Sequence, residues 1–343
     1  YKWPDLRERR EASASPLFSR PVWRLMQLGA ALVVILAIGA TAAAAQPDGR
    51  CTVTFLSVGP AGQAGQPAGQ APQGEAILIQ TPDGKFALID GGPDATSLSQ
   101  KLDSRLPFWQ RSLDMVVLTT ARQDHLNGLQ DVVTRYQIGE VLDGGMLHPN
   151  TGYALWRRTI TDRNLPYQQV HEGMTVPLGT QVQFQVLWPS PQLHQGSDEE
   201  LDNAMVIRIV TPGVRILLLG TAALSKYALN GLLTTIDPQF LQANIVQIVG
   251  EIGKTFPSEL RSILQIAHPS SVVITPAALS AKERAALSTK KPKARETATV
   301  LDPLPPMLDG GSWQVLQTAK LHVEAIELSA DKNGWDIQPI QSG

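Results

Sequence analysis

Two hydrophobic patterns alternate along the chain from Cys51 onward. Short runs rich in β-branched residues predict strands, and amphipathic stretches between some of them predict helices. The predicted strands are residues 52–58, 75–80, 85–90, 114–119, 181–188, 204–210, 214–220 and 245–249. The predicted helices are 125–136, 222–233 and 257–267, the last with a proline at its first position. Residues 81–84, Thr-Pro-Asp-Gly, have the chemistry of a hairpin turn. This mixture predicts an α/β (α+β) protein with layered sheets and helices outside them.

A 22-residue apolar stretch at 25–46 contains no charged side chain and would make about 30 Å of helix, enough to span a bilayer. Six basic residues precede it: Lys2, Arg7, Arg9, Arg10, Arg20 and Arg24. The positive-inside rule therefore predicts a protein of the cell membrane, with a cytoplasmic segment at 1–24, a transmembrane helix at 25–46 and an extracytoplasmic domain at 47–343. A cleaved signal peptide ending near Ala42 to Ala45 is the alternative, and it also exports the domain. Because the sequence starts at Tyr1 and not at Met, we expect further chain before it, which either adds membrane spans, as in a channel protein, or begins at a nearby start, as in a free-standing anchored domain.

Composition narrows the classes of function. With 43% hydrophobic residues the chain can build a packed core, and its formal net charge of −2 excludes binding of nucleic acid by bulk positive charge. The single cysteine excludes an internal disulfide framework and a thiolate zinc site.

Two segments lack an apolar period and are predicted to be flexible, an insertion at 60–73 and a basic, proline-rich segment at 280–311. The second is either a solvated linker or a patch that contacts DNA phosphates. Its candidate DNA-binding residues are Lys290, Lys291, Lys293 and Arg295.

Several motifs share their order with a known family. They are VTFLSVG at 53–59, GEAILIQTPDGKFALIDGG at 74–92, LPFWQRSLDMVVLTTARQDHLNGL at 106–129, VHEGMTVPLG at 170–179, DNAMVIRI at 202–209, VRILLLGTAAL at 214–224 and the run at 241–275. This series resembles the C-terminal metallo-β-lactamase-type domain of ComEC-type DNA-uptake channel proteins. The resemblance implies a four-layer αββα sandwich with a metal site at one edge of its two sheets, and a nuclease role in competence. It also implies the membrane, single-stranded DNA and other competence proteins as partners.

The metal-binding motifs of that family are degenerate in this sequence. The family's H-x-H-x-D-H stands here as residues 120–125, Thr-Ala-Arg-Gln-Asp-His, and its T-G-D as 219–221, Leu-Gly-Thr. Its H-H-G-S stands as 251–254, Glu-Ile-Gly-Lys, and Ser57 replaces the first aspartate of its glycine loop. The vestigial positions are therefore Thr120, Arg122, Asp124, His125, Thr221 and Glu251.

A catalytic zinc ion keeps three protein ligands and an open position, whereas only Asp124 and His125 remain matched here, with Glu251 as a third candidate. We therefore expect no bound zinc or manganese and no catalytic residue. Arg122 and Lys254 add fixed cations that repel a divalent ion, and we expect Arg122 to form an ion pair with Asp124 or Glu251. Without metal, Asp124 and His125 would serve as a helix N-terminal cap and a hydrogen-bonded ring.

Three functions from different classes follow. The first is an inactive, membrane-anchored domain that acts as a scaffold or single-strand guide in DNA uptake. The second is an active metal-dependent hydrolase, a nuclease with a site rebuilt from Asp124, His125 and Glu251. The third is an exported protein-binding module.

Overall fold

The computed structural model describes residues 49–59, 74–250, 255–276, 308–309, 311–318 and 325–340. The predicted transmembrane segment at 25–46, the insertion at 60–73 and nearly all of 280–311 lie outside the described residues, and so do Glu251, Lys254 and the four candidate DNA-binding residues. Among the helices that are described, none has the length and apolar character needed to cross a bilayer.

Two sheets face each other in the described part of the chain. The first has the strand order β15-β14-β1-β2-β3-β4-β5-β6, and the second the order β13-β12-β11-β10-β9-β8-β7. The strands of the first sheet are β1 (Cys51–Val58), β2 (Gly74–Gln80), β3 (Phe86–Ile89), β4 (Ser112–Leu118), β5 (Gln137–Asp143), β6 (Tyr167–Gln169), β14 (Ala325–Asp331) and β15 (Gly334–Ile340). Those of the second are β7 (Thr175–Leu178), β8 (Val182–Trp188), β9 (Val206–Thr211), β10 (Val214–Gly220), β11 (Ile245–Gly250), β12 (Ser271–Pro276) and β13 (Gln314–Gln317).

Helices cover the outer face of each sheet. The described α-helices are α1 (Ala95–Asp103), α2 (Gln123–Arg135), α3 (Thr151–Asp162), α4 (Glu199–Asp202), α5 (Lys226–Thr235), α6 (Pro238–Leu241) and α7 (Glu259–Ala267), with one 3₁₀ turn at Thr221–Leu224. In β1, Val53 and Phe55 point into the core between the sheets, whereas Leu56 and Val58 face the core under α1 to α3. A third core lies under α5 to α7. Side chains of a strand alternate between its faces, so these three apolar layers define a four-layer αββα sandwich, the architecture that the resemblance implies.

The direction of the strands brings several strand ends together. β3, β4, β5 and β6 run parallel in the first sheet, and β10, β11, β12 and β13 run parallel in the second. We call the rim where β3, β4 and β10 end the carboxyl edge, and the rim where β1, β3 and β4 begin the amino edge. In open α/β sheets, ligand sites form beyond the carboxyl ends of parallel strands.

Most of the predicted elements are present, and all three predicted helices start at residues other than those predicted; the one predicted from 125 begins at Gln123. The hairpin at 81–84 is confirmed, because β2 and β3 are antiparallel and the Gly84 N–H donates to the Thr81 carbonyl at 2.9 Å. The helix predicted at 222–233 is broken, because the Ser225 hydroxyl accepts from the Ala228 N–H at 3.0 Å and starts α5 there. The helix predicted from 257 begins at Glu259, so its proline precedes the helix and does not occupy the first position.

Candidate functional site

A buried polar cluster lies at the carboxyl edge, between the two sheets. Its central residues are Glu75 at the start of β2, Asp90 directly after β3, His125 in the first turn of α2 and Thr221 directly after β10. Each of the four is at most 2% exposed. Buried polar groups of this kind are costly unless they are paired, so their hydrogen-bond partners determine what the cluster can do.

Asp90 organises the half of the cluster that belongs to the first sheet. Its carboxylate accepts hydrogen bonds from the Thr119 N–H at 2.8 Å, from the Thr119 hydroxyl at 2.5 Å and from His125 Nδ1 at 2.8 Å. Its backbone has a φ of 57°, a conformation that Asp tolerates better than most other residues. This left-handed turn directs the side chain toward the end of β4 and the start of α2.

The second ring nitrogen of His125 reaches the second sheet. Nε2 lies 3.1 Å from the hydroxyl oxygen of Thr221, which closes a chain of contacts from Asp90 through the imidazole to Thr221. A histidine whose Nδ1 is held by a carboxylate has the orientation typical of a metal ligand that binds through Nε2. Here the partner of Nε2 is a threonine hydroxyl.

Glu75 connects the sheets by a second route. Its Oε2 accepts hydrogen bonds from Gln247 Nε2 at 2.6 Å and from the Thr275 hydroxyl. Gln247 also donates to the Thr275 hydroxyl oxygen at 2.8 Å and accepts from the Gly220 N–H at 3.2 Å. Gln247 is a polar residue in the interior of β11, and this network satisfies both ends of its amide.

Two glycines allow the loop that carries Asp90 to pack directly on α2. A Cβ on Gly128 would lie 1.9 Å from the Gly91 carbonyl oxygen, and one on Gly91 would lie 2.4 Å from the Leu129 nitrogen. Because the two backbones approach so closely, the Gly91 N–H donates to the His125 carbonyl at 2.7 Å, and the Gly128 N–H donates to the Gly92 carbonyl at 3.0 Å. This close backbone contact fixes the separation of Asp90 and His125.

Burial and neighbouring charges shift the pKa values of two groups in the cluster. Burial raises the pKa of the Glu75 carboxyl to about 7, with Asp90 and Asp124 adding to the rise and His125 opposing it. Burial by itself would lower the pKa of His125, but Asp90, Asp124 and Glu75 together raise it to about 9. At neutral pH the ring is therefore an imidazolium that donates from both nitrogens, to Asp90 and to Thr221.

Arg122 and Asp124 form the ion pair expected between them. Arg122 Nε lies 3.1 Å from Asp124 Oδ1, and its Nη2 lies 3.2 Å from Oδ2, so the guanidinium holds both carboxylate oxygens. The alternative partner, Glu251, lies outside the described residues.

The helix cap predicted for Asp124 is wrong, whereas the hydrogen-bonded ring predicted for His125 is confirmed. α2 begins after Arg122, which makes no side-chain cap bond, and Asp124 is a residue of its first turn. Asp124 is the second residue of the helix and lies past the N-cap position, and its carboxylate pairs with Arg122 instead.

Thr120 and Thr221, two other vestigial positions, have different roles. The Thr120 hydroxyl donates to the carbonyl of Glu200, a residue of α4, at 2.8 Å. Thr221 lies in the cluster as the partner of His125.

Sequence reasoning missed Glu75, Asp90, Thr119, Gln247 and Thr275 as members of the site. Asp90 carried a signal, since an Asp-Gly-Gly sequence directly after an apolar strand indicates a tight turn that aims a carboxylate. Gln247 carried another, because it interrupts an otherwise apolar strand.

Glu75, Asp90 and His125 are close enough together to be considered as a metal site, with one ligand atom from each within 4.8 Å of the others. The individual distances do not match zinc as the groups stand. Ligands around a tetrahedral zinc ion at about 2.0 Å lie about 3.3 Å apart, whereas His125 Nδ1 lies 2.8 Å from Asp90 and 4.0 Å from Glu75. To bind an ion through Nδ1, His125 would have to release Asp90, and to bind one through Nε2 it would have to release the Thr221 hydroxyl; in either case the imidazolium would lose a proton.

No protein-family model matches the chain, and no curated protein matches it. Among solved structures, the metallo-β-lactamase fold protein YhfI from Bacillus subtilis is similar, with 13% identity over 77% of this chain and 96% of that one, at a TM-score of 0.45. Zn²⁺-bound PqqB from Methylobacterium extorquens is similar with 15% identity over 78% of this chain and 97% of that one, at a TM-score of 0.45. The metallo hydrolase Igni18 from Ignicoccus hospitalis is similar with 12% identity over 84% of this chain and 100% of that one, at a TM-score of 0.43.

Proposed function

We propose that this chain is a metal-free, non-hydrolytic metallo-β-lactamase-type domain of a membrane-anchored ComEC-type protein, acting as a scaffold or strand guide in DNA uptake. One observation carries the non-hydrolytic part of the proposal. Both ring nitrogens of His125 are engaged by the protein itself, Nδ1 by Asp90 and Nε2 by Thr221. A histidine that binds a metal ion needs a ring nitrogen that is deprotonated and has no other partner. His125 meets neither condition.

The charges of the cluster support the same proposal. A dinuclear metal site needs carboxylates whose negative charge the ions neutralise. Here the Arg122 guanidinium neutralises Asp124, the His125 imidazolium neutralises Asp90, and burial keeps Glu75 protonated up to a pKa of about 7. The cations of the protein thus take the electrostatic place of the ions, and a divalent ion entering the cluster would meet two fixed positive charges.

Metal content and nuclease activity of the full chain test this proposal. After incubation with zinc or manganese and dialysis, we expect well below one ion per chain by elemental analysis, and no cleavage of single-stranded DNA. A matched variant restores the family's residues at three of the departed positions by Thr120→His, Arg122→His and Thr221→Asp, and its uptake of metal would show that the assay detects a functional site. About one ion per chain in the unmodified protein, with DNA cleavage that His125→Ala abolishes, would overturn the proposal.

A second candidate function is a mononuclear metal-dependent hydrolase built on Glu75, Asp90 and His125. The compactness of this group favours it. Such a site would lose its ion in Glu75→Gln and in Asp90→Asn, whereas the inactive scaffold has no ion to lose. The same elemental analysis, repeated on these two variants, therefore separates the two functions.

The role in DNA uptake rests on the motif order and needs its own measurement. Fluorescence anisotropy of labelled oligothymidine with the full chain should show binding that weakens as salt rises. Charge reversal at Lys290, Lys291 and Lys293 should weaken it further. Absence of any DNA binding would favour the exported protein-binding module instead.

A further inference from the structure

Two aromatic side chains lie at the tip of a tight turn on the surface. The Gln110 N–H donates to the Pro107 carbonyl at 2.8 Å, so Phe108 and Trp109 occupy the two central positions of this turn. Phe108 is 76% exposed and Trp109 is 44% exposed, and their rings pack edge to face with centroids 4.6 Å apart. Glycine, asparagine and aspartate are the residues that such turns favour, so two exposed aromatic rings at this place are unusual.

Buried leucines anchor the turn on both sides. The Leu106 N–H donates to the Leu102 carbonyl at 2.7 Å, and Leu106 is 6% exposed. Leu113, in the strand that follows, is fully buried. The fold therefore holds the two rings in solvent. A loop without these anchors could fold back and cover its aromatic side chains.

The turn lies at the amino edge, level with the start of β1. The pairing register leads from Thr52 to Gln80 and from Gln80 to Phe86. Because Ala87 pairs with Met115, Phe86 is level with Asp114, and the Phe86 N–H donates to the Asp114 carboxylate at 2.9 Å. Cys51 is thus level with Leu113, three strand spacings of about 4.8 Å away, and the turn at 107–110 lies beyond that edge.

The sequence before β1 indicates what faces this edge. Only residues 47–50 separate the apolar stretch at 25–46 from Cys51, and four residues can span at most about 14 Å. If that stretch crosses a bilayer, the membrane surface lies within this distance of the start of β1. The turn at 107–110 leaves the sheet at the same edge.

The chemistry of the turn matches a lipid surface. Tryptophan is enriched at membrane interfaces because its ring is apolar and its N–H is polar. Arg105 and Arg111 flank the turn, which itself contains no carboxylate, and Asp103 is the nearest acidic residue in the sequence before it. Basic residues beside inserted aromatic rings favour anionic headgroups.

We propose that the turn at 107–110 inserts Phe108 and Trp109 into the interfacial layer of an anionic bilayer. The sandwich then rests on the membrane by its amino edge and directs its carboxyl edge, with the buried cluster, away from it. This inference rests on the membrane anchoring in the proposed function, but it concerns a surface at the other end of the strands from the cluster, so the metal and nuclease assays do not bear on it.

The test places an environment-sensitive fluorophore at each end of the sandwich. Phe108→Cys and Leu147→Cys variants of the full chain are labelled and reconstituted into liposomes of phosphatidylcholine and phosphatidylglycerol, with or without nitroxide-labelled lipid. Leu147 is the matched control, since it is a 44% exposed apolar residue in the loop after β5, at the carboxyl edge. The native Cys51 does not interfere, because it is fully buried and burial raises its pKa to about 12.

We expect the fluorophore at position 108 to be blue-shifted and several-fold more strongly quenched by nitroxide lipid than the one at position 147. Adding Arg105→Glu and Arg111→Glu should reduce the quenching in mixed liposomes but not in pure phosphatidylcholine. Equal quenching at both positions, or quenching at neither, would overturn the proposal. A shift at position 108 that oligothymidine produces and lipid does not would also overturn it, and would assign the turn to DNA.

Discussion

Asp90→Asn isolates the charge on which the buried cluster depends. Asparagine has nearly the same shape as aspartate and also tolerates the left-handed backbone at this position, where φ is 57°. The substitution therefore leaves the turn in place and removes the negative charge beside the His125 imidazolium, 2.8 Å away.

The structure sets the size of the expected effect. The rise in the pKa of His125 from 6.5 to about 9 corresponds to about 3 kcal/mol of preference for the charged ring. Removing one partner of a buried ion pair costs about 3 to 5 kcal/mol. We therefore expect Asp90→Asn to lower the free energy of unfolding by about 3 kcal/mol at pH 6.

The pH dependence gives the prediction a sign as well as a size. The pKa of His125 is higher in the folded protein than in the unfolded chain, so its contribution is complete below pH 6.5 and is lost as the pH rises to about 9. The cost of Asp90→Asn should therefore shrink between pH 6 and pH 9.5, to about 1 kcal/mol for the remaining hydrogen bonds.

Urea unfolding of the full chain in detergent, followed by near-ultraviolet circular dichroism, measures this difference. Asp114→Asn is the matched control, because the Asp114 side chain also binds a cation and a backbone N–H in the same sheet but is 33% exposed. We expect about 1 kcal/mol or less for it, with little dependence on pH. If Asp90→Asn cost no more than this control, or cost the same at both pH values, the charge balance described for the cluster would be refuted.

Two further substitutions probe the same region. Glu75→Gln should have little effect on the free energy of unfolding at pH 5 and should stabilise the protein by up to about 3 kcal/mol above pH 7. The reason is that the pKa of Glu75 is raised in the folded protein, so ionising it between pH 4.5 and 7 costs stability. Equal urea midpoints for the variant and the unmodified chain at pH 8.5 would contradict this. Gly128→Ala should lower the thermal midpoint despite the better helix propensity of alanine, because its Cβ would meet the Gly91 carbonyl oxygen at 1.9 Å. Gly152→Ala is the control, since the atom nearest to its Cβ is a leucine methyl at 3.2 Å, and it should change the thermal midpoint little.

The sequence predicts the sheets better than it predicts the helices that cover the first of them. Strands such as β10, Val214–Gly220, consist mostly of β-branched residues and leucine, and the predicted bounds of β10 match the observed ones. α3 was missed, because Gly152 and three threonines lower its helix propensity, and its buried residues Tyr153, Trp156 and Ile160 are spaced among arginines. Its start becomes visible only through Asn150, whose side chain accepts from the Tyr153 N–H at 2.8 Å.

The candidate site could be predicted only where its residues are neighbours in the sequence. Asp124 and His125 stand together in one motif, and Arg122 is close enough for its pairing with Asp124 to follow from charge. Glu75 and Asp90 are single carboxylates at strand ends, and only the strand order brings them beside His125. A pattern of local spacing does not contain that order.

The two connections between the sheets also constrain how the chain assembles. Glu75 meets Gln247 and Thr275 across sequence separations of 172 and 200 residues, and His125 meets Thr221 across 96. Contacts of such high sequence separation form late, because the entropy of closing the intervening loops must be overcome first. While β1 to β6 are made alone, Glu75 has none of these partners, and burying it at that stage is penalised. Strands β1 to β6 therefore gain little from burying Glu75 before β11 and β12, which are synthesised later, supply the matching amide and hydroxyl.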